Sequence, residues 1–192
     1  MTGPYIALEG IEGAGKSTVA NRLADLLDDG TRRVIRVREP GGTAAGERIR
    51  GVLLDTGSIL SPWAEALLFA ASRAQLARDV VGPALEAGSW VISDRTVYSS
   101  LAYQGYGREL DVEEIRHLNE WGTGGVWPTV VVFLDTPDDV IAERMSRRDL
   151  DRFEAAGDEF HARVLAGFRE MAAADPTRWI TVQAVGSVER VA

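Results

Sequence analysis

Gly10-Ile11-Glu12-Gly13-Ala14-Gly15-Lys16-Ser17-Thr18 follows directly on the alternating segment Tyr5 to Glu9 and opens a stretch of helical period from Lys16 to Leu27. The spacing is G-x-x-x-x-G-K-[ST] in strand, loop, helix order, the pattern of a loop built around phosphate. Glycines let the backbone wrap so that successive N–H groups point inward at anionic oxygens, and the helix adds its positive N-terminal end. The nine residues Gly10 to Thr18 are therefore the candidate polyphosphate site, with Lys16 placed to bridge the β- and γ-phosphates of ATP. Ser17 is placed to ligate Mg²⁺ through its hydroxyl. The plain alternative is a glycine-rich turn with a surface lysine.

Outward from this loop, short Val- and Ile-rich runs alternate with longer stretches of helical period. Tyr5 to Glu9, Arg33 to Val37, Trp90 to Asp94, Thr129 to Leu134 and Trp179 to Val182 read as strands. Helices are expected near Lys16 to Leu27, Ala44 to Leu54, Pro62 to Ala87, Val112 to Trp121, Pro137 to Arg147 and Asp158 to Ala174. Alternation of strands with helical stretches predicts an α/β fold, a five-stranded parallel sheet with helices on both faces. Ser61-Pro62 and Thr136-Pro137 each put a capping hydroxyl before a proline at the first helical position. Pro83 should kink or split the long third helix. With no repeat and no linker, residues 1–192 are expected to form one domain.

The 192-residue chain carries 21 Lys and Arg against 29 Asp and Glu, a formal net charge of −8. That balance argues against non-specific binding to nucleic acid or to an anionic membrane, which is held by excess positive charge. An anionic ligand must be met by local positive groups. The chain has no cysteine and two histidines, His117 and His161, so thiol chemistry and a histidine-rich metal cage are excluded. No apolar run approaches the roughly 20 residues that span a bilayer, and no signal peptide opens the chain, so a cytoplasmic location is the default.

The guanine-reading and D-x-x-G signals of a GTPase are missing, since the strand ending at Leu134 runs into Asp135-Thr136-Pro137. A phosphotransferase instead needs a second anion site opposite the first. Arg95 follows Asp94 at the carboxyl edge of a parallel strand, where ligands of such sheets bind. It either holds an acceptor phosphate, with Asp94 orienting Mg²⁺ through water, or forms a salt bridge between loops. Arg38 is a weaker candidate of the same kind. Arg144, Arg147, Arg148 and Arg152 are the one dense basic cluster, suited either to a helix C-terminus or to a lid over about residues 145–156 that closes on a transferring phosphoryl group. On the helix from Pro62, Ala64, Leu67, Leu68, Ala71 and Ala74 make one stripe, while Phe69 and Arg73 project from roughly the opposite side. A ring beside a guanidinium suits a planar base, though a helix packed on two sides would also bury Phe69. Ser99, Ser100, Tyr103 and Gln104 lie on a short helix facing the same edge. Glu12 opposes polyphosphate by charge, so it either serves a second substrate's sugar hydroxyl or is a spacer facing solvent.

Taken together, Leu8 to Thr18, Arg38-Glu39-Pro40-Gly41-Gly42-Thr43, Leu67 to Gln75, Asp94-Arg95 with Ser99 to Gly105, and Leu150-Asp151-Arg152-Phe153-Glu154 resemble the thymidylate kinase family of P-loop nucleoside monophosphate kinases. The resemblance implies the P-loop NTPase fold with an arginine-rich lid, and transfer of the ATP γ-phosphoryl group to dTMP with Mg²⁺. It implies that Glu12 meets the acceptor's 3′-hydroxyl, that Phe69 stacks on thymine, and that Arg73 and Ser100 bind the base edge with Gln104 nearby. Tyr103 would crowd out a 2′-hydroxyl and Arg95 would hold the acceptor phosphate. Lys16, Arg95 and the lid residues Arg147 and Arg152 would be catalytic, the lid being needed because Gly13 leaves the loop without an arginine. A homodimer is implied as well. Thr96 stands where the family commonly has tyrosine, and Arg148 where the lid commonly has glycine. The rivals are a kinase for another or modified pyrimidine nucleoside monophosphate, and a non-catalytic ATP-binding regulator.

Overall fold

In chain order the elements are β1 (Tyr5–Glu9), α1 (Lys16–Leu27), β2 (Val34–Arg38), α2 (Ala44–Leu54), α3 (Pro62–Leu76), a π-helical turn (Ala77–Val81), α4 (Gly82–Glu86), β3 (Trp90–Asp94), α5 (Val97–Ser100), a second π-helical segment (Leu101–Gly107), α6 (Val112–Thr123), β4 (Val130–Asp135), α7 (Asp138–Met145), α8 (Asp158–Ala174), β5 (Trp179–Gln183) and α9 (Val188–Val191). This computed structural model describes residues 3–28, 30–145, 152–153, 156–186 and 188–192. All five residues of β1 are buried, as a central strand covered on both faces requires. The sheet order is β2-β3-β1-β4-β5, and every pairing is parallel. The register sets Leu8 opposite Asp94, Glu9 opposite Phe133 and Arg38 opposite Asp94. Polar strand ends therefore gather along one rim.

Alternation along the strands sorts the core into two faces. Ala7, Val131 and Phe133 pack with residues of α5, α6, α8 and the second π segment, and Phe133 stacks on Phe168 at 5.5 Å. Leu8, Ile92 and Leu134 face the other way, against Val19, Ala20 and Ala24 of α1. Helices thus cover both sides, as expected.

The long third helix is interrupted by the π turn Ala77–Val81, immediately before Pro83. Proline has no N–H and its ring would meet the carbonyl one turn back, so the widened turn accommodates it without ending the rod. The apolar stripe of α3 is its less buried side. Leu67 is 53% exposed, whereas Glu65, Ser72 and Arg73 are buried, because the inward face is stocked with polar groups for the site. Ser61 caps α3 by accepting from the Ala64 N–H. Helix α7 starts at Asp138, with the Ile141 N–H on the Pro137 carbonyl.

Candidate active site

The loop after β1 owes its shape to backbone that only glycine adopts freely. Gly10 has φ +141°, and a Cβ there would come within 2.8 Å of the Leu134 carbonyl oxygen. Gly15, at φ +94°, forms the left-handed N-cap of α1. Lys16 Nζ donates to the carbonyls of Gly10 at 3.1 Å and Ile11 at 2.8 Å, so the ammonium lies inside the loop. Burial, with the Arg95 charge adding to it, draws its pKa down to about 8. Ser17 Oγ donates to the Asp94 carboxylate. Hydroxyl and carboxylate oxygen at this rim form the hard donor set that Mg²⁺ favours. Among the described residues no cluster of three His, Cys, Asp or Glu side chains could hold a metal by itself, so phosphate oxygens and water would supply the other ligands.

Arg95 joins this loop to the opposite half of the rim. It sits at φ +72°, a left-handed conformation that a non-glycine residue holds only when its neighbours fix it. Its own N–H donates to the Leu8 carbonyl at 3.0 Å. On the next residue, the Thr96 N–H and hydroxyl both donate to Glu9 Oε1, at 2.8 and 2.6 Å, and Ser99 Oγ donates to Glu9 Oε2 at 2.6 Å. Glu9 is fully buried, and burial raises its pKa. Thr96 therefore contributes a hydroxyl to Glu9 at the position where tyrosine is common. The Arg95 guanidinium donates to Glu12 Oε1 at 2.7 Å, to the Gly10 carbonyl at 3.0 Å and to the Tyr103 hydroxyl at 3.2 Å. Tyr103 in turn donates to Glu12 Oε2 at 2.7 Å. Burial alone would raise the Glu12 carboxyl, but Arg95 and Lys16 hold it below its ordinary value. Glu12 is thus engaged by Arg95 and Tyr103 and is not a spacer facing solvent.

Deeper in the same cleft Arg73 is buried and almost fully engaged. Its Nε donates to Glu39 Oε2 at 2.5 Å, Nη1 to Ser100 Oγ at 3.0 Å and to Asn119 Oδ1, and Nη2 to the Thr96 carbonyl at 3.1 Å. Of five guanidinium N–H groups, one on Nη2 is left without a partner among the described residues. Such a group is held rigidly before any ligand arrives.

A cavity of about 670 Å³ runs along the rim, lined at one end by Gly13 to Val19, Arg144, Ala184, Gly186, Val188 and Val191. Its other end is lined by Arg38, Glu39, Phe69, Arg73, Ser99, Ser100, Tyr103, Gln104 and Phe153, with Glu12, Asp94 and Arg95 between. Gly10 and Ile11 contribute through the carbonyls that hold Lys16, while Ser17 and Thr18 open α1. Phe69 meets Phe153 edge-on at 5.6 Å. The lid expectation divides. Arg147 and Arg148 lie outside the described residues. Arg152 does not line the cavity; it donates to the Leu53 carbonyl at 2.9 Å and to Glu65 at 2.8 Å. Arg144 reaches the loop itself, donating to the Gly13 carbonyl at 3.0 Å. The sequence marks Arg144 only as one of the basic cluster and Glu39 only by its place between Arg38 and Pro40, and it gives Asn119, Glu9 and Glu65 no site role of their own.

Fold and cavity define the class: a phosphate-loop protein of parallel α/β design, with room for a second anionic ligand facing the loop. The family model for thymidylate kinase matches residues 8–192, and the chain belongs to that family. A thymidylate kinase of Kosmotoga olearia is 44% identical over 189 residues, covering 97% of this chain and 90% of the relative. One of Desulforudis audaxviator is 47% identical over 186 residues, covering 96% and 84%. The crystal structure of the Ehrlichia chaffeensis thymidylate kinase superposes with a TM-score of 0.81 at 30% identity, covering all of this chain and 95% of that one.

Proposed function

We propose that the chain transfers the γ-phosphoryl group of ATP to dTMP, giving dTDP. The observation that carries this reading is one continuous cavity with Lys16 at one end, the Phe69, Arg73 and Gln104 wall at the other, and Arg95 between them. An oxygen of the acceptor phosphate bonds to the γ-phosphorus as the bond to the ADP oxygen breaks, and positioning with charge neutralisation does most of the work. Lys16 turns from the loop carbonyls to the β- and γ-phosphates. Arg95 holds the acceptor phosphate, and Glu12 accepts from its sugar hydroxyl beside the Tyr103 ring. Mg²⁺, held through Ser17 and by Asp94 through water, would neutralise phosphate charge. Arg144 and the lid residue Arg147 supply positive charge beside the transferring group. Arg152, engaged by Glu65 and the Leu53 carbonyl, anchors the lid's end and does not reach the reacting atoms in this arrangement.

Residues 1–192 act as one domain in this reading, with a lid near 145–156. The cytoplasm, where nucleotides are made and used, is its place; among the described residues no helix is long and apolar enough to cross a membrane. A homodimer suits the exposed apolar side chains Trp63 and Leu67 on α3, Val52 on α2 and Trp121 on α6. Light scattering should give twice 20.8 kDa, reduced by Leu67→Glu.

ADP formation measured with dTMP, dUMP, dCMP and dGMP in parallel tests the reaction. The highest kcat/KM is expected with dTMP. A stronger response to another acceptor would overturn the choice of dTMP, and no acceptor-dependent ADP at all would leave only an ATP-binding regulator.

A further inference from the structure

Glu65 stands in the first turn of α3 with 1% of its surface exposed, yet it does not line the cavity. Its carboxylate receives four N–H bonds. Oε1 accepts from Gln104 Nε2 at 2.8 Å and Arg108 Nε at 3.3 Å, and Oε2 accepts from Arg108 Nη2 at 3.2 Å and Arg152 Nη1 at 2.8 Å. Two guanidinium groups and an amide thus converge on one buried anion from two separate segments, the π segment with its C-cap Arg108 and the chain at Arg152. Satisfying two arginines would account for a carboxylate here. It does not account for the amide.

An ionised carboxylate only accepts, so the end of Gln104 that faces Glu65 must be the NH₂ end. The carbonyl end, Oε1, then turns the other way. Gln104 lines the cavity beside Arg73, and its Oε1 accepts no hydrogen bond among the described residues. Arg73 and Gln104 both line the base end of the cavity, so the remaining N–H of Arg73 can serve there as a donor and the Gln104 carbonyl as an acceptor. A pyrimidine with a carbonyl at C4 and a hydrogen on N3 complements that pair. One with an amino group at C4 and a bare N3 opposes both.

We infer that Glu65 is a positioning residue for acceptor choice: by pinning the amide of Gln104 in one of its two orientations, it makes the base slot read a 4-oxo-3-NH pyrimidine and reject a 4-amino one. The inference rests on the acceptor reading given above. Glu65→Gln sharpens it, because the new amide cannot satisfy both sides. Two donors, from Arg108 and Arg152, meet at Oε2, whereas the one guanidinium contact at Oε1 is the longest of the four, so the glutamine oxygen belongs at the Oε2 position. Its NH₂ then faces Gln104 and turns that amide over, setting a donor against the base N3–H.

The test is kcat/KM for dTMP and for dCMP, with KM for ATP, in the wild type and in Glu65→Gln. The dTMP to dCMP ratio should fall about tenfold or more, through KM for dTMP, because a donor then opposes a donor in a buried slot. KM for ATP should change less than about twofold. Adding Gln104→Glu, which again offers the base only an acceptor, should restore the ratio. Equal losses on both acceptors would overturn the inference and leave Glu65 a fold residue. Should Glu65→Gln not fold, NMR of the wild type with dTMP bound decides. Cross-relaxation of the Gln104 side-chain NH₂ with Arg108 Hε supports the assignment; dominant cross-relaxation with the base imino proton overturns it. Wild type with no activity on dTMP would sink the acceptor reading instead, a distinct result.

Discussion

The two ends of the cavity are built by opposite strategies. At the end proposed for ATP the site is nine consecutive residues, a loop whose backbone N–H groups glycine frees to point inward at phosphate. At the acceptor end the same job falls to side chains drawn from across the chain: Arg73 takes partners 34 residues back and 46 residues on, and Arg95 reaches back 83 residues to Glu12. A backbone site is fixed by local conformation, so it survives most changes elsewhere. A site of buried ion pairs is fixed by mutual satisfaction, and loss of one member strands the others.

Lys16→Ala should separate the ends most sharply. It removes the ammonium proposed to meet the β- and γ-phosphates, and kcat should fall about 10²–10³-fold, with a smaller loss of melting temperature than at Arg73, because Glu12 keeps Arg95 as its cation. Stopped-flow single turnovers would read this directly. Arg73→Ala should do the reverse. It leaves Glu39 buried without its cation, costing about 3–5 kcal/mol of stability in chemical denaturation, while KM for dTMP rises far more than KM for ATP. Equal losses for both ligands would show that the base slot is misplaced.

Proton linkage offers a third contrast. Lys16, with a pKa near 8 in the free protein, is partly neutral above that pH and recovers its proton when polyphosphate arrives. Calorimetry of ATP binding in buffers of different ionisation enthalpy should show net proton uptake at pH 8.5 and almost none at pH 6.5. The same depressed value means the unfolded chain holds more protons between about pH 8 and the ordinary lysine value of 10.5. This group's contribution to stability therefore rises with pH across that window. The smallest effect belongs to Thr96→Val, which deletes one hydroxyl from Glu9 but keeps the backbone N–H bond. It should cost about 1 kcal/mol, with kcat/KM for dTMP falling as Arg95 loosens, whereas Thr96→Ser should be nearly silent.

The same contrast explains what could be read in the sequence. The loop, the strand alternation and the parallel sheet rest on local spacing, and strand ends differ from expectation by a residue at β2, β4 and β5. Phe69 and Arg73 could be placed on one side of α3 because helical period alone decides that. Asn119, Glu39 and Glu65 carry no local mark of their partners, since their contacts form only when three layers meet. On α3 periodicity shows which residues share a face, not which face turns inward: the apolar stripe is the less buried side. The π segment Leu101–Gly107, which brings Tyr103 and Gln104 to the cavity wall, has no established sequence signature, and it was foreseen only as a short helix. Arg152 was grouped with the lid by its neighbours in the chain, but its partners are the Leu53 carbonyl and Glu65.

Arg95 touches both the Gly10 carbonyl and Glu12 while standing where an acceptor phosphate would dock. An acceptor that draws the guanidinium away alters the very loop on which ATP must settle. Reciprocity then requires that each nucleotide change the other's affinity by the same factor, whichever arrives first. The order of addition would then be a matter of kinetics, and coupling between the two would run through the Arg95 side chain.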